Sequence, residues 1–155
     1  MHTITRAVLE DAKDMLDIQR RAFAEEGRRC HSQEIPPLTE SLASIVEHIE
    51  TQTALKASVD GRVVASIRGI VVNGVCTIRA LVVEPTHQGR RIGSSLLKAL
   101  EEALPHVTRF DLTTNTVMES NVPFYERHGY EVAELTRYSE KITLAQMTKA
   151  VARDA

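Results

Sequence analysis

The chain has 155 residues, 43% of them hydrophobic, and its 19 Lys and Arg residues against 21 Asp and Glu residues give a formal net charge of −2. This length and composition predict one soluble domain over residues 1–155 and exclude a disordered chain. The near-neutral charge argues against nucleic acid as a partner, because binding to it depends on a surplus of basic groups that face phosphates.

Neither a membrane nor a metal ion is expected as a partner. The longest apolar runs are too short to span a bilayer, and the first residues lack the apolar core of a signal peptide, which favours a cytoplasmic protein. The six histidines show no metal-ligand spacing, and neither cysteine, Cys30 or Cys76, has a partner at short range. Two reduced thiols are the simpler interpretation of the cysteines, and Cys76 is expected in the core.

The first third of the chain predicts a strand followed by two helices. Residues 4–9 favour a strand, and apolar residues at helical spacing predict a helix over residues 11–25. Residues 26–37 predict a polar loop. Thr39 is expected to cap a second helix. The apolar residues on one face of that helix are Leu42, Ile45, Val46 and Ile49.

The middle of the chain predicts three strands in an antiparallel meander. The dipeptides Asp60-Gly61 and Asn73-Gly74 are strong signals for tight hairpin turns. They separate three segments rich in β-branched residues, at residues 53–59, 62–72 and 75–83.

The remainder predicts an α+β arrangement with no repeat or linker. Apolar residues trace a helix from Ile92 to Leu104, which Pro105 ends. A strand, a short helix and two more strands follow, over residues 107–113, 120–128, 130–137 and 141–148.

The loop between the third meander strand and the following helix is suited to an anion. A strand that runs through a loop directly into a helix presents unpaired N–H groups and the positive end of the helix dipole at one point. Gly89 and Gly93 would let an anion approach the backbone closely, and Arg90 and Arg91 add positive charge. A plain helix start with two solvated arginines is the alternative, and the residues alone favour neither.

Two common phosphate-binding loops are excluded. A P-loop ends in Gly-Lys-Ser or Gly-Lys-Thr, whereas this loop has Ile92-Gly93-Ser94. A dinucleotide fingerprint needs Gly-x-Gly-x-x-Gly in a parallel βαβ unit, whereas Gly89 and Gly93 are four residues apart and the preceding strands are antiparallel.

Two segments resemble landmarks of the GNAT N-acetyltransferase family. Residues 81–97, LVVEPTHQGRRIGSSLL, are similar to the acetyl-CoA-binding motif Gln/Arg-x-x-Gly-x-Gly/Ala, except that Arg91 stands where the first glycine is most common. Residues 121–130, NVPFYERHGY, resemble a helix that ends in Phe-Tyr-Glu-x-x-Gly-Phe. The order of predicted elements agrees as well, so the resemblance covers nearly the whole chain.

The resemblance implies an α+β, GNAT-like fold, with a mixed, mostly antiparallel sheet of about seven strands flanked by four helices. It also implies acetyl-CoA as co-substrate, with its pantetheine arm on a splayed strand, its pyrophosphate on the loop and Asn121 on the other side of the cleft. For Asn121 a helix cap is an equal alternative. The implied cofactor-binding residues are Leu81, Val82, Val83, Gln88, Gly89, Arg90, Arg91, Ile92, Gly93, Ser94 and Asn121.

The implied activity is transfer of the acetyl group to a primary amine, by direct attack in a ternary complex. Tyr125 stands where similar enzymes place the general acid for the departing thiolate, although a packing role is the plain alternative. A backbone N–H of Val82 or Val83 would polarise the thioester carbonyl. No general base is evident, because the stretch before the splayed strand lacks a Glu. Glu34 and His31 are weak candidates, and deprotonation through water is another route.

The acceptor class stays open between a small-molecule amine and a peptide or protein amine. Family resemblance is compatible with a homodimer. A different class of function, a non-catalytic acyl-CoA-binding sensor or scaffold, is the main alternative, and a nucleotide-binding protein that uses the same loop is a third.

Overall fold

The computed structural model describes residues 1–152, so the last three residues of the predicted domain lie outside the described part. The strands are β1 (Thr3–Arg6), β2 (Thr53–Val59), β3 (Arg62–Val72), β4 (Val75–Val83), β5 (Arg109–Asn115), β6 (Glu131–Arg137) and β7 (Thr143–Ala150). The helices are α1 (Ala12–Arg29), α2 (Pro36–Thr39), α3 (Leu42–Thr51), α4 (Ile92–Ala103) and α5 (Asn121–Arg127). Two short 3-10 helices lie at Leu9–Asp11 and Pro85–His87.

The strands form one seven-stranded sheet in the order β1-β2-β3-β4-β5-β7-β6. Neighbouring strands are antiparallel except β4 and β5, which are parallel. The predicted mixed, mostly antiparallel sheet is therefore confirmed. Five helices replace the expected four, because a proline at the first position pre-sets the backbone of a single extra turn, α2.

The meander agrees with its prediction residue for residue. Asp60 and Asn73 have φ of 51° and 50°, and the glycines that follow them have φ of 77° and 78°. Two consecutive residues with positive φ form the tight turn whose twist matches paired antiparallel strands. Strands β5, β6 and β7 and helix α5 differ from prediction by at most two residues at either end.

Three predictions in the first third of the chain are wrong. Residues 26–37 are not one loop, because α1 continues to Arg29, where Arg28 and Arg29 both pair with Glu25 in its last turns. The first strand ends at Arg6 rather than residue 9, because a 3-10 turn begins at Leu9.

The predicted cap of the second helix is also misplaced. Thr39 lies inside α2, where its hydroxyl donates to the Pro36 carbonyl. The cap of α3 is Ser41, whose Oγ accepts a hydrogen bond of 3.1 Å from the Ser44 N–H. Ser41 has the extended backbone that a capping residue adopts, with ψ of 157°.

The two faces of the sheet carry separate apolar clusters. Alternate residues of a strand point to opposite faces, so Leu55 of β2 joins the larger cluster with α4, while Ala54 joins the smaller one with α1 and α3. Cys76 is fully buried in the larger cluster, as predicted. Phe124 and Tyr125 of α5 pack against the larger cluster, so α1 and α5 lie on opposite faces.

A buried ion pair fixes the segment after α1 to the sheet. Arg68 of β3 is only 1% exposed, and its guanidinium donates two hydrogen bonds of 2.6 and 2.7 Å to the carboxylate of Glu40. Gln19 of α1 bonds both partners. Burial would raise the pKa of Glu40, but hydrogen bonds from Arg68, Ser44 and Gln19 outweigh it and lower that pKa to about 2.

Replacement of Glu40 by Ala is expected to lower the free energy of unfolding by about 3–5 kcal/mol, because the charge of Arg68 is then buried without a counter-ion. Urea denaturation measures the loss. The exposed Glu47 of α3 supplies the control, Glu47→Ala, with a change within about 0.5 kcal/mol.

The same pair predicts the direction of the pH dependence. The Glu40 pKa of about 2 lies below the value of roughly 4.3 in the unfolded chain, so the pair stabilises the fold above that value. The stability gap between the wild type and Glu40→Gln should therefore shrink as the pH falls from 5 towards 2. A gap that does not change over this range would contradict the assignment.

Candidate functional site

A cleft opens in the sheet between β4 and β5. The two strands pair only where residues 75–77 face residues 109–111. Beyond this point β4 continues to Val83 and β5 to Asn115 without any further pairing between them. The facing backbone edges are therefore available to a ligand.

A bulge in β4 accounts for the separation. Arg79 pairs with Arg68 of β3 and Val82 pairs with Ser66, so two residues of β4 lie opposite one residue of β3. The first of those two, Ala80, has a φ of 53°. A left-handed residue at this point bends the bulged strand. The bend turns Leu81, Val82 and Val83 away from β5, and β5 pairs along its length with β7 instead.

The loop from β4 to α4 presents a row of free donors at one end of the cleft. Within residues 1–152, none of the backbone N–H groups of residues 89–94 makes a hydrogen bond. The first intrahelical bond of α4 runs from the Ser95 N–H to the Arg91 carbonyl. No side chain caps α4. The exposed arginines Arg90 and Arg91 make no ion pair with any described residue.

Two residues of this loop adopt left-handed backbone conformations. Gly89 has a φ of 81° and Arg91 a φ of 62°. The second value explains why a glycine suits the position of Arg91. A Cβ at Gly89 would meet no atom within 4 Å, and one at Gly93 would meet Phe124 and Val83 at 3.7 Å. The space over the loop backbone is thus open.

Side chains of the loop connect it to both neighbouring elements. The Gln88 amide donates a hydrogen bond of 3.1 Å to the Val83 carbonyl at the end of β4. Ser94 Oγ lies 3.0 Å from Nε2 of His128, just after α5. Burial lowers the pKa of His128, which keeps its ring neutral near pH 7. The sequence patterns did not single out His128.

Tyr125 is half-buried between α5 and the sheet. Its ring packs edge-to-face against Phe124 and Tyr130, with centroids 5.1 and 5.9 Å apart. Its hydroxyl makes no hydrogen bond among the residues described. Burial raises the pKa of this hydroxyl above its ordinary value of 10, and the carboxylate of Glu26 raises it further. Tyr125 is therefore a protonated donor throughout the neutral range.

A buried polar cluster that the sequence interpretation missed lies where β5 ends. Asn115 Nδ2 is 3.4 Å from Oε2 of Glu26 and 3.2 Å from Sγ of Cys30, and all three residues are buried. Asn121 does not cap α5, because its amide donates to the Asn115 carbonyl at 3.4 Å. The burial of Glu26 could have been predicted from the sequence, because Met15, Gln19 and Ala22 mark the inner face of α1 and Glu26 continues their helical spacing.

Helix α1 bridges the two sides of the cleft. Arg21 forms two hydrogen bonds of 2.6 and 2.8 Å with Glu84, just after β4. In the last turn of α1, Arg29 donates to the carbonyl of Val117, just after β5. The two candidates for the general base follow α1 in the chain.

Those candidates, His31 and Glu34, are exposed in the loop after α1. Neither side chain makes a hydrogen bond or ion pair with a described residue. Residues 1–152 contain no group of three or more potential metal-binding side chains, and none of their helices has the length and apolar character needed to cross a membrane.

The sequence and structure comparisons with known proteins agree on one family. The sequence model of the Acetyltransferase (GNAT) family matches residues 12–130. A search of curated protein sequences found no match.

Solved structures with the same fold are similar over nearly their whole length. The Escherichia coli ribosomal-protein-S18-alanine N-acetyltransferase has a TM-score of 0.82 at 20% identity, covering 100% of this chain and 97% of that chain. PaiA N-acetyltransferase from Thermoplasma acidophilum, in complex with coenzyme A, has a TM-score of 0.82 at 16% identity, covering 97% and 99%. A Sinorhizobium meliloti phosphinothricin acetyltransferase in complex with AcCoA has a TM-score of 0.77 at 16% identity, covering 97% and 88%.

The bulge in β4 generates a stability prediction. Val is favoured over Ala in a regular strand, but a β-branched residue is strained at the left-handed backbone of Ala80. Ala80→Val should therefore lower the free energy of unfolding by roughly 1–3 kcal/mol. Thr77→Val, at an exposed and regularly paired position of β4, is the control and should change it by less than about 0.5 kcal/mol. Stabilisation by Ala80→Val would show that the bulge is not retained.

Proposed function

Because the chain belongs to the GNAT acetyltransferase family, we propose that it transfers the acetyl group of acetyl-CoA to a primary amine by direct attack in a ternary complex. The observation that carries this proposal is the junction of the open cleft between β4 and β5 with the free N–H groups of residues 89–94. One surface there accepts an extended thiol-bearing arm, and the other accepts anionic phosphate.

The proposed cofactor site has two parts, one for the phosphates and one for the pantetheine arm. Residues 88–94 hold the pyrophosphate through backbone donors at the start of α4, with positive charge from Arg90 and Arg91. Leu81, Val82 and Val83 supply the backbone edge that bonds the pantetheine arm, and Asn121 closes the cleft from the α5 side. The unpaired edge of β4 and the open space over Gly89 support this assignment.

The proposed chemistry needs an oxyanion donor and a proton for sulfur. The amine nitrogen forms a bond to the thioester carbon, and a backbone N–H of Val82 or Val83 stabilises the oxyanion that develops. When the carbon–sulfur bond breaks, Tyr125 donates its proton to the departing sulfur. The raised pKa keeps the Tyr125 hydroxyl protonated at neutral pH, so it carries the proton that the departing sulfur needs.

The setting of this activity is part of the proposal. Residues 1–155 would act as one domain in the cytoplasm, on either a small-molecule amine or a peptide or protein amine, as a monomer or a homodimer. The S18-alanine N-acetyltransferase neighbour is an example of a protein-directed relative, and the phosphinothricin acetyltransferase of a small-molecule one.

Release of free thiol tests the transfer reaction. The protein is incubated with acetyl-CoA and a panel of small amines and peptide N-termini, and thiol is measured against samples without amine. Amine-dependent release is the expected result. Tight coenzyme A binding without release from any amine would favour an acyl-CoA sensor or scaffold. Protection against unfolding by ATP that equals protection by coenzyme A would instead favour a nucleotide-binding protein.

Tyr125→Phe should lower kcat by about 10²–10⁴-fold, because it removes the proton donor and keeps the ring packing. Affinity for coenzyme A should stay within about twofold of the wild type, since the loop of residues 88–94 is untouched. The exposed Tyr138 provides the matched control, and Tyr138→Phe should keep full activity. A Tyr125→Phe variant with wild-type turnover at every pH would remove Tyr125 from the mechanism.

A further inference from the structure

The carboxylate of Glu26 is buried and has no cationic partner among residues 1–152. Its residue is 7% exposed, and its one hydrogen-bond donor among the described residues is the long contact of 3.4 Å from Asn115. The other buried carboxylates within residues 1–152 are paired: Asp11 with Lys56 at 2.8 Å, and Glu40 with Arg68. An unpaired buried carboxylate is costly, so its retention at the cleft indicates a use.

The position of Glu26 relative to Tyr125 indicates what that use is. Glu26 extends from α1 on one face of the sheet, and Tyr125 extends from α5 on the other. Asn115, which contacts Glu26, lies at the end of β5 where β4 has already separated. Asn121, the first residue of α5, donates to the Asn115 carbonyl at 3.4 Å, so Glu26 and the helix that carries Tyr125 meet at the same end of β5. The Glu26 charge also raises the pKa of Tyr125.

None of the described groups near Glu26 is a cation that would hold its carboxylate in the ionised form. On its own helix the neighbouring titratable group is Cys30, and across the cleft it is Tyr125. Arg29 is turned to Glu25 and to the Val117 carbonyl rather than to Glu26. Burial raises the pKa of Glu26, and the hydrogen bond from Asn115 opposes this shift only in part. A carboxylate with a raised pKa is a stronger base at neutral pH.

Resting on the proposed acetyl transfer, we propose that Glu26 is the proton acceptor for the attacking amine and that it returns this proton to Tyr125. The free amine forms the carbon–nitrogen bond, and its nitrogen loses one proton to the Glu26 carboxylate. The carbon–sulfur bond breaks, and the sulfur takes the proton of Tyr125. The proton on Glu26 then passes through solvent water to the Tyr125 oxygen, because the two side chains share no direct hydrogen bond, and this restores both side chains and balances the reaction.

This relay is tested by measuring kcat/KM of the wild type and of Glu26→Gln across pH, with the best amine of the thiol-release panel. The quantity compared is the ratio of the wild-type kcat/KM to that of the variant. Titration of the amine affects both proteins equally and cancels in the ratio. The ratio should reach about 10²–10⁴ at alkaline pH and fall towards one as the pH drops below the raised pKa of Glu26. Glu26→Asp should recover part of the activity.

Controls separate this role from a structural one. Glu25→Gln changes the adjacent, solvated carboxylate and should give a ratio near one at every pH. A carboxylate whose pKa is raised on folding destabilises the fold once it ionises, so Glu26→Gln should gain unfolding free energy relative to the wild type as the pH rises. Lost activity together with equal or greater stability cannot be attributed to misfolding.

A ratio that is near one, or large but independent of pH, would overturn the role of Glu26 while the transfer reaction stands. A wild-type protein that releases no thiol with any amine fails in a different way, because it overturns the transfer proposal and the relay together. Binding of coenzyme A, measured by calorimetry, should be the same for the wild type and Glu26→Gln.

Discussion

The site depends on one constraint, which is that the parallel strands β4 and β5 cannot remain paired beyond residues 77 and 111. An extra residue at the Ala80 bulge bends β4, and the pairing of β5 with β7 keeps β5 in the plane of the sheet. Backbone groups that a continuous sheet would satisfy are left free at its centre. Such groups are costly without a partner, so this opening has the character of a binding site rather than of a packing defect.

Helix α1 spans the cleft and makes contacts on both sides of it. Its Arg21 holds Glu84 beyond β4, and its last turn contacts Asn115 and Val117 beyond β5. The buried pair between Arg68 and Glu40 fixes the chain segment that follows α1. These contacts hold chain segments on both sides of a cleft whose own edges are unpaired.

The sequence predicted best what short-range chemistry determines. The meander was correct in every boundary, because Asp-Gly and Asn-Gly dipeptides specify the turns themselves. The end of α1 and the cap at Ser41 were missed, because several polar residues near residues 26–41 could serve and tertiary contacts choose among them. The roles proposed for residues 81–83 and 88–94 rest on family resemblance. Glu26 was overlooked because the predicted helix ended one residue before it, and its contact with Asn115 joins residues 89 apart in the sequence.

Glu40 and Glu26 are two carboxylates of one chain whose pKa values shift in opposite directions. Both are removed from water, which by itself raises a carboxyl pKa. Glu40 has a guanidinium and two further donors, so its pKa falls to about 2 and the group stays ionised in a structural role. Glu26 has a single long hydrogen bond from an amide, so its burial prevails and its pKa rises. The number and charge of nearby donors, rather than burial, therefore separates the carboxylate that holds the fold together from the one that is able to exchange a proton at the cleft.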